Sequence, residues 1–186
     1  MKKLIHLFSV LLFAGCSSNP VGPVATFKQE GLVISINAEV ADKVESSLKS
    51  ELLYIKTIAE SDFKNELLKT LSFIHFIDYQ KDNCASGQVA CSDKMNDGKI
   101  FINQNFFQMP TLEQFTALLH EARHLESQNF EHIKCTKRPQ WGYECDENIN
   151  SPYGLEYKYL LHKFINNKDE QSAQVLQRIF LRLNKI

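Results

Sequence analysis

The chain reads as an α+β protein, rich in helix and with a small sheet, and three observations lead there. Long segments repeat apolar residues at threes and fours, the period of a helix with one buried face. Short runs of alternating, β-branched character interrupt them, "GLVISINA" at 31–38 and "KIFIN" at 99–103. The 186 residues are 44% hydrophobic with 13 Phe and 6 Tyr, enough for one domain with a real core. Lys and Arg number 21 against 22 Asp and Glu, a formal charge of −1, which gives no footing for nucleic-acid binding.

The N-terminus stands apart from the fold. Lys2 and Lys3 precede an apolar run at 4–14 that is too short to span a bilayer, and small residues then lead to Cys16. This resembles a bacterial lipoprotein signal, although Phe13 stands where such signals usually carry Leu. The resemblance implies removal of residues 1–15 and lipidation of Cys16. Several acyl chains there would hold the protein stably at the envelope. Ser17 and Ser18 look like an outer-membrane address, facing the periplasm. Residues 16–26 then read as a tether and 27–186 as the folded domain.

The elements follow in order. Residues 31–38 predict a strand. From 39 to 60, Val40, Val44, Leu48, Leu52, Ile55 and Ile58 predict a helix, with Asn37 as its cap. A second helix covers 62–71, and "SFIHFIDY" (72–79) turns strand-like. Residues 80–98 read as a loop and 99–103 as a short strand entered by "NDG". Thr111 and Gln114 have the form of a capping box opening a helix whose buried stripe is Leu112, Phe115, Leu118, Leu119, Ala122 and Leu125. An irregular stretch runs from 134 to 154, and helices at 155–166 and 169–184 close the chain.

With Cys16 set aside, Cys84, Cys91, Cys135 and Cys145 remain, an even number in an exported chain. Of three pairings, the simplest is Cys84 with Cys91 and Cys135 with Cys145, each closing a short polar loop. No C-x-x-C spacing supports a zinc-thiolate site instead.

The helix beginning at Thr111 carries the chemistry. In "HEARH", His120 and His124 lie four apart, so their imidazoles stack one turn apart on one side and can meet one ion. Glu121 follows the first of them and can take a proton from metal-bound water, whose pKa zinc lowers to about 7. In this H-E-x-x-H helix, preceded by a short strand, the chain resembles the zincin metallopeptidases. The resemblance covers about 99–156 and implies a zincin-like domain, a Zn2+ cofactor and a peptide or protein substrate. In that clan the strand before the helix belongs to a sheet whose edge binds substrate, and "KIFIN" sits where such a strand is expected.

A catalytic zinc needs a third protein ligand. The pattern H-E-x-x-H-x-x-G-x-x-H fails, because Ser127 and Phe130 occupy its Gly and His positions. His132 is the nearest donor and stands first. Asp146 comes second, with an alternative role orienting an imidazole, and Glu144 and Glu156 share the rest. Tyr153 is a candidate oxyanion-stabilising hydroxyl, or simply an aromatic packed before Gly154. Arg123 is expected in a salt bridge, and His75 and His162 as packed histidines. Lys134, Lys137 and Arg138 read as a solvated cluster, and Trp141 as packing over the Cys135–Cys145 loop. The competing functions are a non-catalytic envelope lipoprotein with a structural metal or a partner, and hydrolysis of a non-peptide amide such as cell-wall material.

Overall fold

The structure is a computed structural model describing residues 23–80, 84–85, 87–93, 98–126, 131–136, 140 and 145–184. It is α+β: five α-helices and one five-stranded mixed sheet. The elements are β1 (Val24–Gln29), β2 (Leu32–Asn37), α1 (Ala41–Thr57), α2 (Ser61–Leu71), β3 (Phe76–Tyr79), β4 (Ala90–Ser92), β5 (Lys99–Ile102), α3 (Thr111–Glu126), α4 (Pro152–Asn167) and α5 (Glu170–Phe180). A 3-10 turn, Gln104–Gln108, joins β5 to α3.

The strand order is β1-β2-β3-β5-β4, with β2, β3 and β5 parallel and both outer strands antiparallel to their neighbours. Cross-strand partners share a face, so the register lines up Ile36, Ile77, Ile100 and Ser92 in one row. The three isoleucines are fully buried, together with Val44, Leu48 and Leu52 of α1 and Phe115, Leu118 and Leu119 of α3. The row ends at the β4 edge, beside α3.

Two elements differ from the sequence reading. Residues 24–26, placed at the end of the tether, form the first half of β1, paired to β2. Residues 90–92, read as loop, form the edge strand β4, so "KIFIN" supplies an inner strand and not the edge. Three residues are too few for an alternation to declare itself, and pairing with β5 makes the strand.

Boundaries shift for local reasons. Asn37 does not cap α1; its side-chain carbonyl accepts the Glu39 N–H, and Val40 occupies the cap position without a side-chain bond. The capping box at Thr111 does not close either, because Gln114 donates its Nε2–H back to the Met109 carbonyl, 2.8 Å away. The β3 strand starts only at Phe76, since Ser72 and Phe73 donate back into the last turn of α2. Gly98 adopts φ 78° and a Cβ there would lie 2.4 Å from the His75 ring, so the turn into β5 requires glycine. His75 itself is exposed rather than packed.

Helix α4 starts at Pro152, three residues earlier than expected. Ser151 accepts the Gly154 N–H and proline suits the first helical position. Helix α5 stops at Phe180, because the next residues turn away to bond the Asp146 segment. Both expected disulfides are present, Cys84–Cys91 and Cys135–Cys145, and they fit an oxidising, extracytoplasmic compartment. Among the described residues no helix is long and apolar enough to cross a membrane. The lipoprotein signal and Cys16 lie outside the described residues, as do Lys137, Arg138, Trp141 and Glu144.

Candidate metal centre

Helix α3 is fixed from three sides. Its apolar stripe enters the core, Ser47 of α1 donates to the Thr111 carbonyl, and Glu126 takes bonds from Thr70 of α2 and from Arg123. Arg123 also donates to the Asn150 carbonyl, so it braces the helix against the segment before α4 as a salt-bridged residue. The opposite face of α3 is thereby presented to a cleft of about 680 Å3.

At that cleft His120, His124 and His132 converge. Their three Nε2 atoms form a triangle with every side 3.2 Å. Three nitrogens bound at about 2.0–2.1 Å to one tetrahedral ion stand roughly 3.3–3.4 Å apart. The observed triangle is within about 0.2 Å of that spacing, so these residues could hold one divalent transition-metal ion.

The remaining ring nitrogens show why the Nε2 atoms face inward. His120 Nδ1 lies 2.6 Å from Glu156 Oε1, and His132 Nδ1 lies 2.7 Å from Asp146 Oδ1. A neutral imidazole donating its Nδ1–H to a carboxylate turns the Nε2 lone pair to the opposite side. Lone pairs aimed at one point repel each other, and a cation at that point relieves the repulsion. Burial pushes His120 down to about 4, so the imidazole is neutral at ordinary pH and has no proton to lose before binding an ion.

Asp146 is the second anchor. Its Oδ2 accepts the Tyr153 N–H at 2.7 Å, at the start of α4. Burial opposes its charge, but the bonds from His132 and Tyr153 hold the carboxyl below its ordinary value. Burial and the charge of Asp146 push Glu156, on α4 and fully inside, well above the usual range, against the pull of Arg182, and a cation held at the three Nε2 atoms would favour the ionised form that accepts the His120 Nδ1–H. Neither carboxylate belongs to the nitrogen triangle; both stand behind imidazoles. Of the described candidates for a third ligand, His132, Asp146 and Glu156, His132 is therefore the one that the fold places beside His120 and His124.

Segment 131–136 reaches the helix because Ile133 and Cys145 exchange two main-chain bonds, at 2.6 and 3.0 Å, beside the Cys135–Cys145 disulfide. Asp146 in turn donates to the Arg182 carbonyl and accepts from Asn184, clamping the C-terminal end onto the same segment. Tyr153 packs its ring edge-on to His120, 4.4 Å between centroids, and stacked on His132 at 5.0 Å. Arg182 sits 5.0 Å above that ring.

Glu121 lines the same cleft, and its Oε2 accepts the main-chain N–H of Ser92 at 2.8 Å. Burial raises its carboxyl above the ordinary value, although His120 and the Ser92 bond pull the other way. In the β4–β5 ladder, Asp93 donates to Lys99 and Asn103 donates to Val89. Ala90 and Ser92 therefore present their main-chain groups on the side away from β5, toward α3 and the cleft. The contact between an edge strand and Glu121 was not legible in the sequence, because it depends on main-chain direction and not on side-chain identity.

His162, far from the cleft, is part-buried, with Nδ1 2.8 Å from the Tyr54 hydroxyl and Nε2 2.8 Å from Glu60. It takes no part in the centre.

Fold and site together define a disulfide-bearing α+β protein with three histidines that could hold a metal ion, two of the imidazoles each backed by a carboxyl group. No family model, no curated protein and no solved structure matches this chain.

Proposed function

We propose that the protein is a zinc-dependent metallopeptidase held at the bacterial cell envelope by lipid on Cys16. The observation that carries this reading is the meeting of three Nε2 atoms and the Glu121 carboxylate at one open cleft. Three imidazole nitrogens with a fourth position left to solvent is the ligand set of a catalytic zinc, and a triangle made of nitrogen donors suits magnesium or calcium poorly. Zinc, when bound, supplies a Lewis acid and a water that is acidic near neutral pH.

The chain's own residues do the rest. Glu121, its carboxylate steadied by the Ser92 N–H, takes the proton from the attacking water and gives it to the leaving amine. Its raised pKa suits both halves of that exchange. Glu156 and Asp146 keep two imidazoles in the tautomer and orientation that leave Nε2 free. Tyr153, wedged against both rings, keeps bulk water from that side of the site.

The test uses the mature chain loaded with zinc and a peptide library read by mass spectrometry. Glu121→Gln should bind zinc normally and lose about 100-fold or more in turnover. His120→Ala should lose both metal and activity. A Glu121→Gln variant cleaving at the wild-type rate would overturn the assignment. Stoichiometric zinc with no cleavage of any peptide would favour the non-catalytic lipoprotein, or an amide substrate other than peptide.

A further inference from the structure

The two edges of the sheet are finished differently. At one, β4 is three residues long and Glu121 takes the Ser92 N–H. At the other, β1 runs for six residues in one-to-one register with β2, without a bulge. The Ala38 N–H reaches the Pro23 carbonyl, so residues 25, 27 and 29 turn their main-chain groups toward β2. Val24, Thr26 and Lys28 turn theirs away from the sheet, and among the described residues no strand pairs with them.

Edges of this kind are ordinarily blunted by brevity, bulges or charge, because open main-chain groups invite another strand. The β1 strand carries a single charge, Lys28. The side chains of Val24, Thr26 and Lys28 share the sheet face away from buried Phe27, and Lys28 has Val33 of β2 as its cross-strand partner. Val24 and Val33 are 50% and 60% exposed, so this face offers apolar surface next to the open edge.

We infer that a second copy of this chain pairs antiparallel along β1, about a two-fold axis at Thr26, joining the two sheets into one. In that register Thr26 faces its own counterpart, and Val24 faces the second copy's Lys28. All three outward-facing residues then find partners and exchange about six main-chain bonds. A slip of two residues either way carries one of them past the end of the partner strand and loses about two. Across the junction, the Lys28 stem lies between Val33 of its own β2 and Val24 of the other copy. It covers both valines while its ammonium stays in water. Thr26 beside Thr26 is a favourable cross-strand pair, and no like charges stand opposite each other. A strand of another sequence would gain the main-chain bonds alone, whereas the same strand reversed supplies a match at every position. The contact is self-complementary and closes on itself, using each β1 once. Both β4 edges, with their clefts, lie at the far ends of the joined sheet. The inference does not depend on the peptidase reading.

Sedimentation equilibrium of the mature chain, free of lipid, over a series of concentrations measures the association. Wild type should form a dimer and nothing larger. Thr26→Pro removes an N–H that faces away from β2, a place where an edge strand accepts proline, and should weaken the dimer roughly tenfold or more with Tm unchanged. Val24→Lys sets cations opposite each other at two places, and Val24→Glu sets an acid there against Lys28. The glutamate variant should therefore associate about tenfold more tightly than the lysine variant, a comparison that serves even if Thr26→Pro does not fold. A wild type that is monomeric at every concentration overturns the inference. So does a dimer indifferent to a folded Thr26→Pro, or equal association of the two Val24 variants, since either result places the contact elsewhere.

Discussion

Asp146 joins three parts of the molecule. Its carboxylate receives His132 on one oxygen and the first turn of α4 on the other, while its main chain grips residues 182 and 184. Asp146→Asn keeps the shape but sets an amide NH2 against an N–H donor at one of those two bonds. Zinc affinity should fall about 10- to 100-fold, as outer-sphere changes at histidine sites do, in competition with a chromophoric chelator. Affinity equal to wild type would mean that His132 needs no orienting partner. At this scale the H-E-x-x-H residues were legible because helical spacing is local: positions 120 and 124 must share a side once the helix forms. The division of labour among Asp146, Glu156 and His132 was not legible. It depends on which atom each carboxylate reaches across 14 and 36 residues of chain.

The elements carry the next layer. The segment bearing His132 is held by an isolated bridge between Ile133 and Cys145, by Asn184, whose side chain bonds Lys134 and Thr136, and by the Cys135–Cys145 disulfide. Replacing both cysteines by serine should cost about 3 kcal/mol in stability, by the loop-closure argument. It should also weaken zinc binding, since His132 and Asp146 lose their common brace. The Cys84→Ser, Cys91→Ser pair, which frees the loop before β4, should leave zinc affinity unchanged. Isothermal titration of both variants checks this, and equal losses in the two would remove the bracing role. The cysteine pairing itself was readable, because each pair closes a short loop. The edge strand that one pair staples was not, for β4 exists only by virtue of its partner β5. Helix α4 gives the converse case: Ser151, Pro152 and Gly154 are a local start signal that periodicity alone placed three residues late. Gly154 is also fixed by packing, since a Cβ there would stand 2.3 Å from the Ile149 main chain.

For the molecule as a whole, the centre ties α3 and α4 to His132 and Asp146 through one cluster. A ligand bound only by the folded state stabilises it, by about 4 kcal/mol at a thousandfold excess over Kd. For a domain of this size that is a rise in Tm on the order of 10 °C. Calorimetry with and without EDTA should show the loss in wild type and none in His132→Ala, and a wild-type Tm indifferent to EDTA would deny the centre any structural weight. What the sequence determined alone is everything set by short-range period and chemistry: an α+β chain rich in helix, the α3 helix with its two imidazoles and neighbouring acid, and the loop-closing disulfides. What only the tertiary structure decided is the third imidazole, the carboxylates behind the rings, the edge strand that steadies Glu121 and the α5 wall of the cleft. Those depend on main-chain direction and long-range register, which bring together residues that no local spacing relates.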